Sequence, residues 1–427
     1  MKKRLLALAV LGALTLGCVM PTFAAEDQAE SAKEAAQVNS ATPAGPDDKD
    51  DRKNNEKDAV GFVSFANIES RMRRENLKIK MMDQTIETLE EIDYDSIEAQ
   101  LQSGLSMIEA QVLAMQQGAA MEPIGAQVAI MNLQTQAAEL KEQLSNIKNG
   151  NLRSDNRGII NQLENSQNLL VMAGETMFLA LKAMETQEGA LQRQLTALNR
   201  TVEEMELRYQ MGQISALTLG EIKAGRSALI SGMNTLKMNI VTYKSQLEQF
   251  IGAELTGEIT LGAVPQVTES QLADMDLEED WKQCQRRSYD IDTALDALNE
   301  AEEAEEDTEK ASGEDSYEYL AARNARQAAE YTYDDAIETA ELKFRSLYAQ
   351  VQDYRQILEN AKISLQCEEA SFQASELRYS QGAISENTLL TAQDELTAAR
   401  EAVSNAENDL FSAYNTYCWA VETGILN

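Results

Sequence analysis

The chain has 427 residues, 43% of them hydrophobic but only 5% aromatic, and a formal net charge of −34. So acidic a protein has no basic face for a phosphate backbone or an anionic lipid surface, which excludes nucleic acid as a partner. The complete absence of histidine removes imidazole general acid/base chemistry, Ser-His-Asp triads and His-ligated metal sites together.

The first residues read as an export signal. Lys2, Lys3 and Arg4 form a charged end, Leu5 to Met20 an apolar stretch, and Thr22-Phe23-Ala24 a small-residue cleavage site, so residues 1–24 are assigned to the signal peptide. A competing reading is a lipoprotein signal ending at Cys18, which Gly17 suits and Thr15 and Leu16 do not. Either way the chain is expected in the bacterial cell envelope. Residues 25–58 hold almost no large apolar side chain and read as a disordered tether. No later segment has the ~18 uncharged apolar residues of a membrane helix.

Residues 59–155 read as N-terminal helices. One helix is expected through "NIESRMRRENLKIKMMDQTIETLEEI" and another from "DYDSIEAQLQ", with Ser96 as its cap and Gly118 and Pro123 as its break. The helical pattern then resumes to about Lys148, and "NGNLRSDNRG", Asn149 to Gly158, reads as a loop. Only one proline, Pro265, lies between Ile124 and Asn427. Because proline costs roughly 3 kcal/mol inside a helix, this points to long helices.

The apolar positions agree. Leu181, Met184, Leu191, Leu195, Leu198 and Val202 alternate steps of three and four, with Glu188 out of pattern. Leu219, Ile222, Leu229, Met233, Leu236 and Ile240 do the same, with Arg226 the exception. A 3.5-residue period kept this long is a coiled-coil seam. Phe344, Leu347, Val351, Tyr354 and Leu358, then Leu389, Ala392, Leu396, Ala399 and Val403, repeat it in the second half. Hence residues 156–252 are expected to form one hairpin and 277–427 a second helical half with its own. A linker, 253–276, lies between, with a short strand at Glu258 to Leu261. The acidic run from Glu300 to Asp315 reads as a solvated helix end and loop. The remaining cysteines, Cys284, Cys367 and Cys418, are odd in number and widely spaced, and read as unpaired thiols.

Two phrases punctuate the seams, "RYQMGQIS" from Arg208 and "RYSQGAIS" from Arg378. The stretches Leu207–Leu219 and Leu377–Leu389 agree at eight of thirteen positions, an internal repeat. Gly212 and Gly382 suit the left-handed residue that ends a helix, and Ser215 and Ser385 the next N-cap. Ile214 with Leu219, and Ile384 with Leu389, have the spacing of a hydrophobic staple. Each phrase therefore reverses the chain into a tight hairpin. Arg208 and Arg378, in the last turn, suit the negative end of the helix dipole, but this local chemistry leaves their repeated pairing with Tyr209 and Tyr379 unexplained.

Two such tips between long coiled-coil helices resemble the TolC family of outer-membrane efflux proteins. The linker "LEQFIGAELTGEITLGAV" and the closing "YNTYCWAVETGIL" are similar to the family as well. The resemblance implies an all-α chain with two long antiparallel hairpins, assembled as a homotrimeric helical tube. It implies tips that dock on a periplasmic adaptor (membrane fusion) protein, which joins them to an inner-membrane pump. The adaptor-facing residues would be Arg208, Tyr209, Gly212, Ile214, Ser215, Arg378, Tyr379, Gly382, Ile384 and Ser385. It implies no catalytic, metal or cofactor site and no enzyme activity.

Two departures stand out. The family's barrel strands would fall near Tyr94 to Lys148 and Glu300 to Tyr319, which read here as helix and acidic stretch. The tube would then lack its barrel, fitting a single-membrane bacterium or a barrel replaced by a helical extension. The family's aspartate six residues after the tip glycine is Thr218 or Thr388 here. The alternative function is a cell-envelope coiled-coil scaffold without transport.

Overall fold

The computed structural model describes residues 58–118 and 123–426. The signal, the Cys18 lipidation reading and all but the last residue of the tether lie outside the described residues. The fold is all-α. Short elements come first: β1 (Phe62–Val63), a 3-10 turn (Phe65–Asn67), α1 (Ile68–Glu75) and α2 (Leu77–Glu90). A helical hairpin follows, α3 (Tyr94–Gly118) and α4 (Pro123–Lys148). The first long hairpin is α5 (Asn151–Gln210) with α6 (Ala216–Phe250). The linker carries β2 (Thr260–Leu261) and α7 (Glu269–Ala273), and leads to α8 (Leu277–Arg287) and α9 (Tyr289–Ser312). The second long hairpin is α10 (Tyr317–Ser380) with α11 (Glu386–Thr423).

Four expectations are corrected. The helix through "ENLKIK" is interrupted at Asn76, whose extended backbone (φ −67°, ψ 122°) ends α1. Its side chain accepts from the Lys78 and Ile79 amides and donates to the Phe250 carbonyl, so one residue caps α2 and ties it to the end of α6. At α3 the capping oxygen belongs to Asp93, which accepts from the Ser96 amide at 3.0 Å; Ser96 is inside the helix. The segment read as a loop at 149–158 is helical from Asn151, and the turn is Asn149-Gly150 alone. Gly150 takes φ +80°, and the asparagines and glycine beyond it follow the helix because its lower turns pack on α4. Finally, the helix from Leu277 breaks at Ser288, which caps α9. The acidic run is the helix end and loop that its composition suggested, helical to Ser312 and reversing at Gly313. Paired glutamate–cation bridges support it, including Arg326 to Glu305 at 2.8 Å across the α9–α10 turn.

Helix lengths determine the shape. At 1.5 Å per residue, the 60 residues of α5 span about 90 Å and the 64 of α10 about 96 Å. Their partners α6 and α11 have 35 and 38 residues. Each long helix therefore overruns its partner at the end away from the tip. There α5 is covered by α1, α2 and α4, and α10 by α8 and α9. The regions where barrel strands would fall are thus helical hairpins. Among the described residues the β structure is one parallel ladder, Phe62 with Thr260 and Val63 with Leu261. No helix among them is long and apolar enough to cross a membrane.

Two cores meet where α11 ends. In the first, Phe65 stacks edge-on against Phe178 and Phe411, over buried Ile68, Met72 and Leu181. In the second, Phe344 packs between Trp281 and Tyr417, over Leu347, Val351 and Leu410. Trp419 faces the first core and Tyr417 the second, so two residues of one turn join the halves. The joint is also polar. The buried Glu175 carboxylate accepts from Trp419 Nε1 at 2.7 Å and Asn415 Nδ2 at 2.8 Å.

The three cysteines expected to be unpaired are free: Cys284 buried, Cys418 half-buried, Cys367 exposed. Burial pushes the Cys284 thiol up to about 12, which leaves it no reactive thiolate near neutrality. A maleimide should therefore label Cys367 within minutes on the folded protein. Cys284 should react only after denaturation, as counted by mass spectrometry.

The linker is held by one carboxylate. Glu248, fully buried, accepts from the Gly257 amide at 2.8 Å and from Thr256 Oγ1 at 2.6 Å. Burial alone would raise its pKa, but the donors from Gly257 and Thr256 outweigh it and hold the carboxyl below its ordinary 4.5. A lowered folded-state pKa contributes stability that is present above the unfolded value and lost as pH falls through the folded one. Glu248→Gln should thus cost about 1–3 kcal/mol at pH 7, read from the urea midpoint. That difference from wild type should shrink as the pH is taken below 4.5.

Candidate functional site: two equivalent hairpin tips

Each tip is built by its own backbone. At the end of α5 the Gly212 amide donates to the Tyr209 carbonyl at 2.9 Å and the Gln213 amide to the Arg208 carbonyl at 2.8 Å. At the end of α10 the Gly382 amide donates to Tyr379 at 2.8 Å and the Ala383 amide to Arg378 at 2.9 Å. This is a Schellman closure, and it needs a left-handed residue. Gly212 sits at φ +70° and Gly382 at φ +71°. Ser215 and Ser385 then cap α6 and α11 by accepting from the Thr218 and Thr388 amides at 3.1 and 3.2 Å. Their hydroxyls also meet the threonine hydroxyls, at 3.0 and 2.9 Å. Thr218 and Thr388 are therefore part of the cap. A serine–threonine hydroxyl pair stands at each tip.

Ile214 and Ile384 are half-buried. Leu219 is buried and Leu389 half-buried, as the staple spacing requires. Tyr209 and Tyr379 are outside this packing, 44% and 41% exposed. The two arginines differ. Arg208 pairs with Glu204 one turn back. The equivalent position in the second half is Ala374, and Arg378 makes no ion pair among the described residues. Hence two superposable backbones present an Arg-Tyr pair to solvent, one arginine neutralised and one free.

The structure also brings together residues that the sequence reading left apart. Arg200 Nη2 meets Asp394 Oδ2 at 2.9 Å, and Arg193 pairs with Glu401. These bridges tie α5 to α11, and so the two hairpins to each other. Asp394 is almost wholly buried, and its Oδ1 has no hydrogen-bond donor among the described residues. The signal was present in the spacing: a basic pair and an acidic pair, each seven apart, at equal distances from the two tip glycines. Among the described residues no cluster of three or more His, Cys, Asp or Glu side chains could hold a metal ion.

No protein-family model matches the chain, and no curated protein matches it. Solved structures do. A membrane protein from Pseudomonas aeruginosa aligns with a TM-score of 0.51 at 11% identity, over 84% of this chain and 90% of that one. It has this fold. The outer-membrane channel OprN gives 0.49 at 16% identity, over 67% and 72%. The outer membrane protein VceC from Vibrio cholerae gives 0.46 at 12% identity, over 84% and 96%. Likeness at such identity is a likeness of fold, and function has to be argued from the tips.

Because the closures are equivalent, they should respond equally to substitution. Gly212→Ala and Gly382→Ala should each cost about 1–2 kcal/mol locally, from forcing a Cβ into the left-handed region. Ser215→Ala and Ser385→Ala should each cost about 1 kcal/mol. Hydrogen exchange should accelerate at the tip amides in all four variants, with the thermal midpoint of the joined cores nearly unchanged.

Proposed function

We propose that the chain is an exported, TolC-like, non-enzymatic component of an efflux or secretion assembly. It forms a helical conduit whose hairpin tips dock on an adaptor protein. In this reading the chains associate as a homotrimer in the cell envelope, and the adaptor links them to an inner-membrane pump. The supporting observation is the pair of equivalent tips. The closure explains the glycine, isoleucine and serine at each, but it uses only the backbone carbonyls of Arg208, Tyr209, Arg378 and Tyr379 and leaves their exposed side chains free of it. Exposed tyrosine and arginine repeated on identical backbones are what a binding hot spot uses. All ten tip residues, Ile214, Ser215, Ile384 and Ser385 included, then belong to the adaptor-facing end. The fold shared with a bacterial membrane protein is consistent with this.

The α3–α4 and α9–α10 hairpins, standing where barrel strands would fall, favour a second reading: an envelope scaffold that keeps the helical body without transport.

Electron microscopy of the purified protein separates the two, since a conduit is hollow and a scaffold is a solid bundle. In cells, the double variant Tyr209→Ala, Tyr379→Ala should leave expression and thermal midpoint intact and lower export by about tenfold or more. Full export by that variant, or by Gly382→Pro, would overturn docking at the tips.

A further inference from the structure

The two tips share a backbone and differ in what they carry on it. A shift of 170 residues, the offset between Arg208 and Arg378, relates one repeat to the other. Both closures, both serine caps and both exposed tyrosines are kept under that shift. The carboxylate of Glu204, one turn before Arg208, is not: the equivalent residue is Ala374. Nor is the cation that neutralises Glu206. Lys223 reaches it across the first hairpin at 2.6 Å, and the counterpart of Lys223 in the second is Gln393.

Charge therefore closes on itself at the first tip and stays open at the second. Arg378 is exposed and makes no ion pair among the described residues. The carboxylates nearest to it in sequence do not serve it. Glu376 is two residues away, about 200° round the helix. Glu386 opens α11, where the positive end of the helix dipole favours a carboxylate without any cation.

The uncharged residues diverge as well. Met211 and Leu217 stand 56% and 73% exposed after the first closure. Their equivalents at the second are Gln381 and Asn387, also exposed. One tip thus offers solvent a neutralised arginine with two apolar side chains. The other offers a bare guanidinium with two amides.

An exposed arginine in water needs no partner, so its freedom alone carries nothing. Burial changes that. A protein that covers Arg208 meets a pair that is already neutral. A protein that covers Arg378 must bring an anion, or leave a buried cation unpaired and bind about tenfold or more weakly.

We infer that the partner docking at the tips sets an aspartate or glutamate against Arg378 and an uncharged, apolar surface against Met211 and Leu217. Arg378 holds that carboxylate through its guanidinium fork, with the Gln381 and Asn387 amides as further donors. The two tips are then distinct sites, each rejecting what the other takes. An acidic group at the first tip would meet Glu204, and an apolar one at the second would bury Arg378 unpaired. The assignment rests on docking at the tips, as in the reading above, and adds the chemistry by which the partner tells one tip from the other.

Two measurements test it in cells, on the full chain. Ala374→Glu copies the first tip's ion pair into the second, and Glu204→Ala opens the first. Each should lower export by about tenfold or more with the thermal midpoint unchanged. Ala374→Gln, which changes size without charge, should export as wild type. The second measurement reads the carboxylate directly. The chain has no lysine beyond Lys362, so Arg378→Lys sets a single side-chain amine at the second tip. A carbodiimide added to cell envelopes activates a carboxyl group, and the amine displaces the activated oxygen as a urea to leave an amide. Mass spectrometry should find residue 378 joined to an Asp or Glu of another protein. The same treatment of Arg208→Lys should join residue 208 to Glu204 of its own chain. Adding Tyr209→Ala and Tyr379→Ala should abolish the 378 adduct. An adduct confined to Glu376, Glu386 or a second copy would overturn the assignment, as would full export by Ala374→Glu or Glu204→Ala. No adduct at 378, with export still lost in the tyrosine double variant, would overturn the assignment and leave docking at the tips standing. Full export by the tyrosine double variant would overturn both.

Discussion

The reversal of the chain at Gly212 and Gly382 fixes the register of everything between the tips and the joined cores. A helix hairpin has one degree of freedom that matters, the position at which it turns, and the closure removes it. The Schellman bonds stop α5 and α10 at one residue, and the serine caps start α6 and α11 three residues later. Moving either turn by one residue would rotate the outgoing helix by about 100° relative to its seam and turn Leu219 or Leu396 toward solvent. The same heights then set which charges oppose one another between hairpins. Arg200 reaches Asp394 only because both tips turn at equivalent points.

At the other end a different constraint operates. The long helices outrun their partners, and an amphipathic helix surface left bare would expose its apolar side. The chain covers it with short helices that are capped and redirected by single polar residues: Asn76 between α1 and α2, Asp93 before α3, Ser288 between α8 and α9. The linker is fastened by the buried Glu248, and the two cores are clasped by Glu175 with Trp419. Buried carboxylates with two or more donors are directional: Glu248 fixes the local turn at Thr256-Gly257, and Glu175 holds α5 to α11 across 240 and more residues of sequence.

This division explains what could be read from the sequence. The long hairpins were legible because a seven-residue pattern kept over many turns admits one structure, and because glycine, isoleucine and serine at fixed offsets have one geometric use. The redirections were less legible. Asn76 lies inside an otherwise helical pattern, and its capping role depends on Phe250, 174 residues away. Gly158 and the asparagines of 149–158 have weak helix propensity, yet packing on α4 overrides it. The tips were located correctly as chain reversals, while the bridges between hairpins were missed. Those bridges lie on a second face of α5 and α11, outside the seam that periodicity reveals.

That second face is where the two halves stop being copies. The repeat preserves the seams and the closures, which any hairpin of this kind needs. It does not preserve the flanks. One pair of flanks, on α5 and α11, carries opposite charges at matched heights and meets within the chain. Arg208 and Arg378 diverge in the same way, since Glu204 neutralises the first and Ala374 leaves the second free. The sequence differences between the halves therefore lie on the flanks, where α5 meets α11 through opposite charges at matched heights.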